Sequence, residues 1–217
     1  MHTLHLVSTP TDGEIEHMAD VLHESFVKGY FGGALGTSEL SRALLKHHIA
    51  AALVDPAGEL WIAKSDEDDD GKVIGVAVWF GPGAVYLATP EQRAVGWDQL
   101  YGQLDSDKQA WWDYFLDAFD ALTETTLGVG VKRDAYHLQV IGILASRRRQ
   151  GLGRSFFRAV ESKAKEPGVC TCMETIGDGA VPVYEALGYE VKGPVPLKSP
   201  RNPESTLPMY AFVKRFP

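Results

Sequence analysis

Cysteine is almost missing from this 217-residue chain, which has two, Cys170 and Cys172. Their i,i+2 spacing puts both on one face of the strand they are expected to occupy, a poor geometry for a structural disulfide. A stapled secreted scaffold is therefore excluded, and two small buried thiols in a reducing compartment are expected. A basic excess is missing too: 21 Lys and Arg against 29 Asp and Glu leave a net charge of −8. That argues against a general nucleic-acid binder, which needs a basic face to neutralise phosphates. No apolar run is long enough to cross a membrane, and the opening MHTLHLVSTPTDGEIEHM has neither the basic flank nor the apolar core of a signal peptide, so a cytoplasmic protein is expected. Repeats and low-complexity tracts are lacking, which excludes solenoids and arrays.

Several reaction classes lack their motifs. No His-Glu-x-x-His occurs, and His2 with His5, His17 with His23, and the pair His47 and His48 show neither a shared ligand face nor a partner cluster. No metal is expected. The acidic run DEDDDGK lacks the distal glutamate of a calcium loop and reads as a solvated tip. Without a Gly-x-Ser-x-Gly elbow, a hydrolase is unsupported.

What is present is one domain's worth of alternating elements. At 45% hydrophobic and 23% charged, residues 1–217 fit a single well-buried core. A strand at 3–8 precedes a helix whose Thr11 and Glu14 match a capping box and whose Ile15, Met18, Leu22 and Phe26 recur at helical spacing. After the glycine-rich turn GYFGGALG, a second helix starts at Thr37 or Ser38 and runs to about Leu53. LWIAKS and VIGVAVWF then form a hairpin. Residues 89–127 interrupt this pattern with two helices. The first has Thr89 as its cap, Pro90 at its first position, and Trp97, Leu100 and Leu104. Ser106 opens the second, which carries Trp111, Trp112, Phe115, Phe119 and Leu122. YHLQVIGIL is a strand, Leu152 to about Glu166 a helix, VCTCMETI a strand, GAVPVYEALGY a short helix ended by Gly188, and MYAFVKRF a closing strand. The Pro-rich GPVPLKSPRNPESTLP before it reads as a surface loop. The order is mixed α/β.

The concentration of positive charge sits at one junction. In HLQVIGILASRRRQGLGRSFF an apolar run leads into three arginines, a Gly-Leu-Gly turn and a helix. A strand, glycine turn and helix start hold phosphate, because the first amides of the helix are unpaired, its dipole favours an anion and glycine lets the backbone approach closely. Gly153 is followed by Arg154 and Ser155 rather than the Lys-Ser/Thr of a P-loop, and position 156 is Phe156 rather than the third glycine of a dinucleotide fingerprint.

RRQGLG, from Arg148 to Gly153, resembles the Arg/Gln-x-x-Gly-x-Gly/Ala signature of the GNAT acetyltransferases, and VYEALGYE resembles their YexxGF segment. The element order resembles a GNAT domain throughout, apart from a helical insert at 89–127. The resemblance implies a central mixed, mostly antiparallel sheet with splayed strands 4 and 5 and helices on both faces. It implies acetyl-CoA as donor, with its pyrophosphate on the backbone amides of Arg149, Gln150, Gly151, Leu152, Gly153 and Arg154, and Arg148 opening the motif. The pantetheine would pair with the main chain of Val140, Ile141, Gly142, Ile143 and Leu144.

Acetyl transfer to an amine needs a base, an oxyanion donor and a proton or hydrogen bond for the departing sulfur. An imidazole suits the first task near neutral pH, which makes His137 the first candidate. By the resemblance, its position carries a catalytic glutamate in histone acetyltransferases and a histidine in serotonin N-acetyltransferase. That second enzyme has another histidine two residues on, where this chain has Gln139. Glu174 is a second candidate base or a counter-charge for an amine. By resemblance Tyr184 is the acid, and a main-chain amide near Ile141 holds the oxyanion. The expected acceptor is a small amine or a lysine-type side chain, entering over GYFGGALG and the Trp111, Trp112 and Phe115 surface. An acyl-CoA-binding module without catalysis, and a transferase of longer acyl groups with Gly142 lining the acyl end, stay open as alternatives.

Overall fold

A computed structural model of the protein describes residues 2–26, 30–66, 71–202 and 204–216. Seven strands form one sheet: β1 His2–Val7, β2 Gly58–Ser65, β3 Val73–Phe80, β4 Tyr136–Ile143, β5 Thr171–Ile176, β6 Glu190–Lys198 and β7 Thr206–Lys214, in the spatial order β1-β2-β3-β4-β5-β7-β6. Every neighbouring pair is antiparallel except β4 and β5. The helices are α1 Asp12–Ser25, α2 Gly32–Leu35, α3 Ser38–Val54, α4 Pro90–Gln92, α5 Asp98–Tyr101, α6 Ser106–Leu127, α7 Val131–Asp134, α8 Leu152–Lys165 and α9 Val181–Ala186. The mixed, mostly antiparallel architecture expected from the sequence is present. The acidic tip at 67–70 lies outside the described residues, as does Gly29, the first residue of the glycine-rich turn.

Local chemistry sets the helix starts. The Thr11 hydroxyl accepts from the Glu14 amide while the Glu14 carboxylate accepts from the Thr11 amide at 2.8 Å, a complete capping box. Thr37, Thr89 and Asp105 cap α3, α4 and α6 in the same manner through their side chains. Strand β3 is buried at all eight positions because helices cover it on both faces: α1 and α3 pack against one, and Phe157 of α8 meets Trp79 on the other.

One expectation is corrected. The Pro-rich segment is not a loop throughout, since β6 runs through Pro194 and Pro196 and β7 already includes Pro208. Proline is admitted because β6 is the sheet's outer strand and its register with β7 shifts between Lys192 and Val195, so missing amides leave few ladder bonds unmade. The turn GYFGGALG likewise contains the single helical turn α2. Cys170 precedes β5 and is half-buried, while Cys172 is buried within it, and both thiols are free.

The helices of 90–127 carry their own core. Trp97, Leu100, Leu104, Trp112 and Phe115 bury against Ala34, Leu35 and Leu44, and the Trp112 indole N–H donates to the Ala34 carbonyl at 3.2 Å. Trp112 therefore holds the helices to the domain. Replacing Trp112 with alanine is expected to cost about 3–5 kcal/mol and to lower the melting temperature by roughly 10 °C in a thermal scan.

Candidate active site

Strands β4 and β5 pair only at their first three positions, Tyr136–Leu138 with Thr171–Met173. Beyond that β4 stays with β3 as far as Ile143, and β5 stays with β7 as far as Ile176. A wedge opens between Val140–Ile143 and Glu174–Ile176, with unpaired β4 backbone along one side. At its vertex Val78 pairs with Val140 while Trp79 pairs with Leu138, so Gln139 is an extra residue in β4. This bulge inverts the facing of everything before it. Gly142 faces α1, where a Cβ would lie 2.9 Å from Leu22 and Ser25, and Ile143 faces α8. Because of the bulge, His137 shares the face of Gly142 rather than that of Ile143. Gly142, read from the sequence as lining the acyl end, presents its hydrogen to α1 and lets that helix pack close.

His137 and Glu174, read from the sequence as competing bases, meet as one unit. His137 pairs in register with Cys172, so Glu174, two residues on, shares its face. His137 Nε2 and Glu174 Oε2 are 2.6 Å apart, with side chains only 4% and 3% exposed. Burial pushes the Glu174 carboxyl up, but the nearby charges of His137 and Lys132 and hydrogen bonds from His137 and Thr123 outweigh it and bring its pKa down to about 2. Glu174 Oε2 accepts from the Nε2–H of His137, which turns Nδ1 away from the carboxylate. That Nδ1 is buried and has no hydrogen-bond partner among the described residues.

The arginine and glycine turn leaves its donors open. No backbone amide from Arg149 to Arg154 donates to another group among the described residues, and the first bond of α8 is Ser155 N to Gly151 O. Unlike α1, α3 and α6, helix α8 has no side-chain cap, and its N-cap Gly151 sits at φ 85°. Arg149 also adopts a left-handed conformation, φ 61°, which an L-residue takes up only when its surroundings impose it. Six consecutive free amides beside the positive end of a helix dipole form an anion-binding nest. Arg149 and Arg154 make no ion pair among the described residues. Arg148 is spent differently: its Nε donates to the Ile143 carbonyl at 3.1 Å and its guanidinium to the Ser25 carbonyl at 2.5 Å, tying the turn to the end of α1.

Tyr184 packs between Phe157, Tyr189 and Phe212 and has no hydrogen-bond partner for its hydroxyl among the described residues. Burial pushes its pKa up to about 12. Opposite it, Tyr30 is likewise raised by burial, with a further contribution from Tyr184.

Comparison with known proteins fits this arrangement. Residues 94–198 match the family described as acetyltransferase (GNAT) domain. The matched segment, just under half of the chain, is similar to the GNAT acetyltransferases. Among solved structures, an acetyltransferase of Corynebacterium glutamicum described as histone acetyltransferase HPA2 and related acetyltransferase is 19% identical, with 98% of this chain and 95% of that one covered and a TM-score of 0.60. The polyamine N-acetyltransferase of Drosophila melanogaster, which forms N-acetylagmatine, is 13% identical over 100% of both chains with a TM-score of 0.63. A mosquito arylalkylamine N-acetyltransferase-like protein is 16% identical over 100% of both, with a TM-score of 0.58.

Within this GNAT fold, one cluster escaped the sequence reading. His47 has hydrogen-bond partners, and His48 has aromatic neighbours. His47 Nε2 donates to the Gln92 carbonyl at 2.8 Å, and its Nδ1 accepts from the Tyr86 hydroxyl at 2.7 Å. His48 is 2% exposed and packs against Tyr30 and Tyr86. Only the fold joins these positions, since Tyr86 lies on the loop after β3. Among the described residues, no group of three or more His, Cys, Asp and Glu side chains is arranged to hold a metal, and no helix is long and apolar enough to cross a membrane.

Proposed function

We propose that this protein is a GNAT acetyltransferase and transfers an acetyl group from acetyl-CoA to a primary amine by direct attack in a ternary complex. The observation that carries the reading is the pairing of the free-amide nest at Arg149–Arg154 with a wedge whose vertex holds the His137–Glu174 unit. Acetyl-CoA supplies the activated thioester. The nest suits its pyrophosphate, and the β5-facing backbone of Val140–Ile143 suits the pantetheine, except that the Ile143 carbonyl is already engaged by Arg148, while Leu144 is engaged at both its amide and its carbonyl by Ile74 and Arg147.

His137 Nδ1 takes the amine proton as the C–N bond forms and the C–S bond breaks. Glu174 orients the imidazole and stabilises the imidazolium that results. The oxyanion is held by a main-chain amide near Ile141. Tyr184, raised to about 12, holds its proton more tightly than a thiol of pKa near 8.5, so its task is to hydrogen-bond the departing sulfur rather than surrender the proton. Residues 1–217 act as one domain with a helical insertion at 89–127, in the cytoplasm, where the free thiols stay reduced.

The test is amine-dependent release of CoA thiol with mass detection of the acetylated amine. Tyr184→Phe is expected to lower kcat about 10- to 100-fold, the worth of one hydrogen bond to a charged group, and to leave acetyl-CoA stabilisation of the fold unchanged. CoA release that does not depend on added amine contradicts the reading.

A further inference from the structure

His48 is a buried histidine that the mechanism above does not use. It sits on α3 at 2% exposure, and among the described residues neither Nδ1 nor Nε2 has a hydrogen-bond partner. Burying a polar group without a partner is unfavourable by about 1–3 kcal/mol, and the large majority of buried polar atoms in folded proteins have one. Burial holds its pKa well below the usual imidazole range, so the ring is neutral, with one donor and one acceptor on offer.

Contacts place this ring on the same face of the sheet as His137. Phe80 is the register partner of His137, its ring lies 5.9 Å from Tyr86, and Tyr86 lies 4.7 Å from His48. On the other side His48 meets Tyr30 at 5.6 Å. The chain of contacts therefore begins at the proposed base and reaches His48 through Phe80 and Tyr86. Tyr86 does not satisfy His48, because its hydroxyl proton is engaged by His47 Nδ1.

We propose that His48, walled by Tyr30 and Tyr86, determines acceptor specificity, and that the acceptor is a primary monoamine carried on an apolar body. The proposal rests on the transferase reading. Two buried imidazoles present unpartnered nitrogens on this side of the sheet, Nδ1 of His137 and the ring of His48. A primary amine donates one N–H to each, which holds its lone pair toward the thioester. The rest of the acceptor meets aromatic faces, which favour an apolar body. A polyamine would bring a second ammonium toward the Glu174 carboxylate, which is already engaged by His137 and influenced by Lys132, leaving that charge unpaired.

The experiment compares phenethylamine with spermidine as acceptors at saturating acetyl-CoA, in the wild-type protein and in His48→Phe and His48→Gln, while thermal scans follow folding and acetyl-CoA stabilisation. Wild type is expected to favour phenethylamine at least tenfold in kcat/KM. His48→Phe keeps the ring volume and removes both nitrogens, so the phenethylamine KM rises about tenfold, as expected for one lost hydrogen bond, with acetyl-CoA stabilisation intact. His48→Gln restores a donor and an acceptor and recovers most of the loss. Preference for spermidine, no turnover of phenethylamine, or an unchanged KM in His48→Phe overturns the proposal while leaving acetyl-CoA binding standing. Absence of acetyl-CoA stabilisation in the wild type overturns the transferase reading first.

Discussion

His137→Ala is expected to lower kcat by about 10²–10⁴-fold while the protein still binds acetyl-CoA, because a positioned base contributes about that much and His137 lies outside the phosphate nest. Pre-steady-state measurement of thiol release at saturating amine reads the loss directly. Glu174→Gln leaves a side chain that can still meet Nε2 but carries no charge to stabilise the imidazolium, so most of the loss should be reproduced. The pair also ties stability to pH. The Glu174 carboxyl is depressed from 4.5 to about 2 in the folded state, so its contribution is fully present above about pH 4.5 and is lost as the pH falls toward 2. Acid-induced unfolding of the wild type in that window should flatten in Glu174→Gln. A steep wild-type acid transition retained in the variant would place the linkage elsewhere.

Gly151→Val is expected to abolish stabilisation by acetyl-CoA. Gly151 caps α8 at φ 85°, a left-handed conformation that is unfavourable by about 1–2 kcal/mol for a residue with a Cβ and more for a branched one. Nothing lies within 4 Å of an added Cβ, so the variant does not clash with the core. Relief comes from rotating the turn, which re-aims the amides of Arg149–Arg154. The unliganded melting temperature should fall by only a few degrees while ligand binding weakens beyond detection. Arg149→Gly is the counterpart: it relaxes the strained φ of 61°, keeps the amides, and should retain most of the stabilisation. If Arg149→Gly lost binding as completely as Gly151→Val, side-chain charge rather than the backbone nest would hold the phosphates.

The strands, the long helices and the glycine turn before α8 were legible because each has a local signature: the capping box at Thr11 and Glu14, the period-3.6 stripe of α1, and the glycines at 151 and 153. Features that depend on pairing were not. The bulge at Gln139 appears only when β3 is laid beside β4, and it decides which face His137 uses. The His137–Glu174 contact spans 37 positions and arises because β4 and β5 run parallel, so sequence spacing could offer the two only as rivals. The prolines of β6 misled for a physical reason, since an outer strand tolerates a residue that an inner one excludes. His48 was passed over because its neighbours Tyr30 and Tyr86 arrive from separate loops.

The most direct test of the central claim is a melting curve of the wild-type protein with and without acetyl-CoA. At about one hundred times the dissociation constant, the ligand should stabilise the fold by roughly 2.7 kcal/mol and raise the melting temperature by about 5–10 °C in a saturable manner. A melting temperature that stays fixed up to millimolar acetyl-CoA would contradict the account, because the free amides of Arg149–Arg154 would then serve some other anion and the His137–Glu174 pair would have no thioester to act upon.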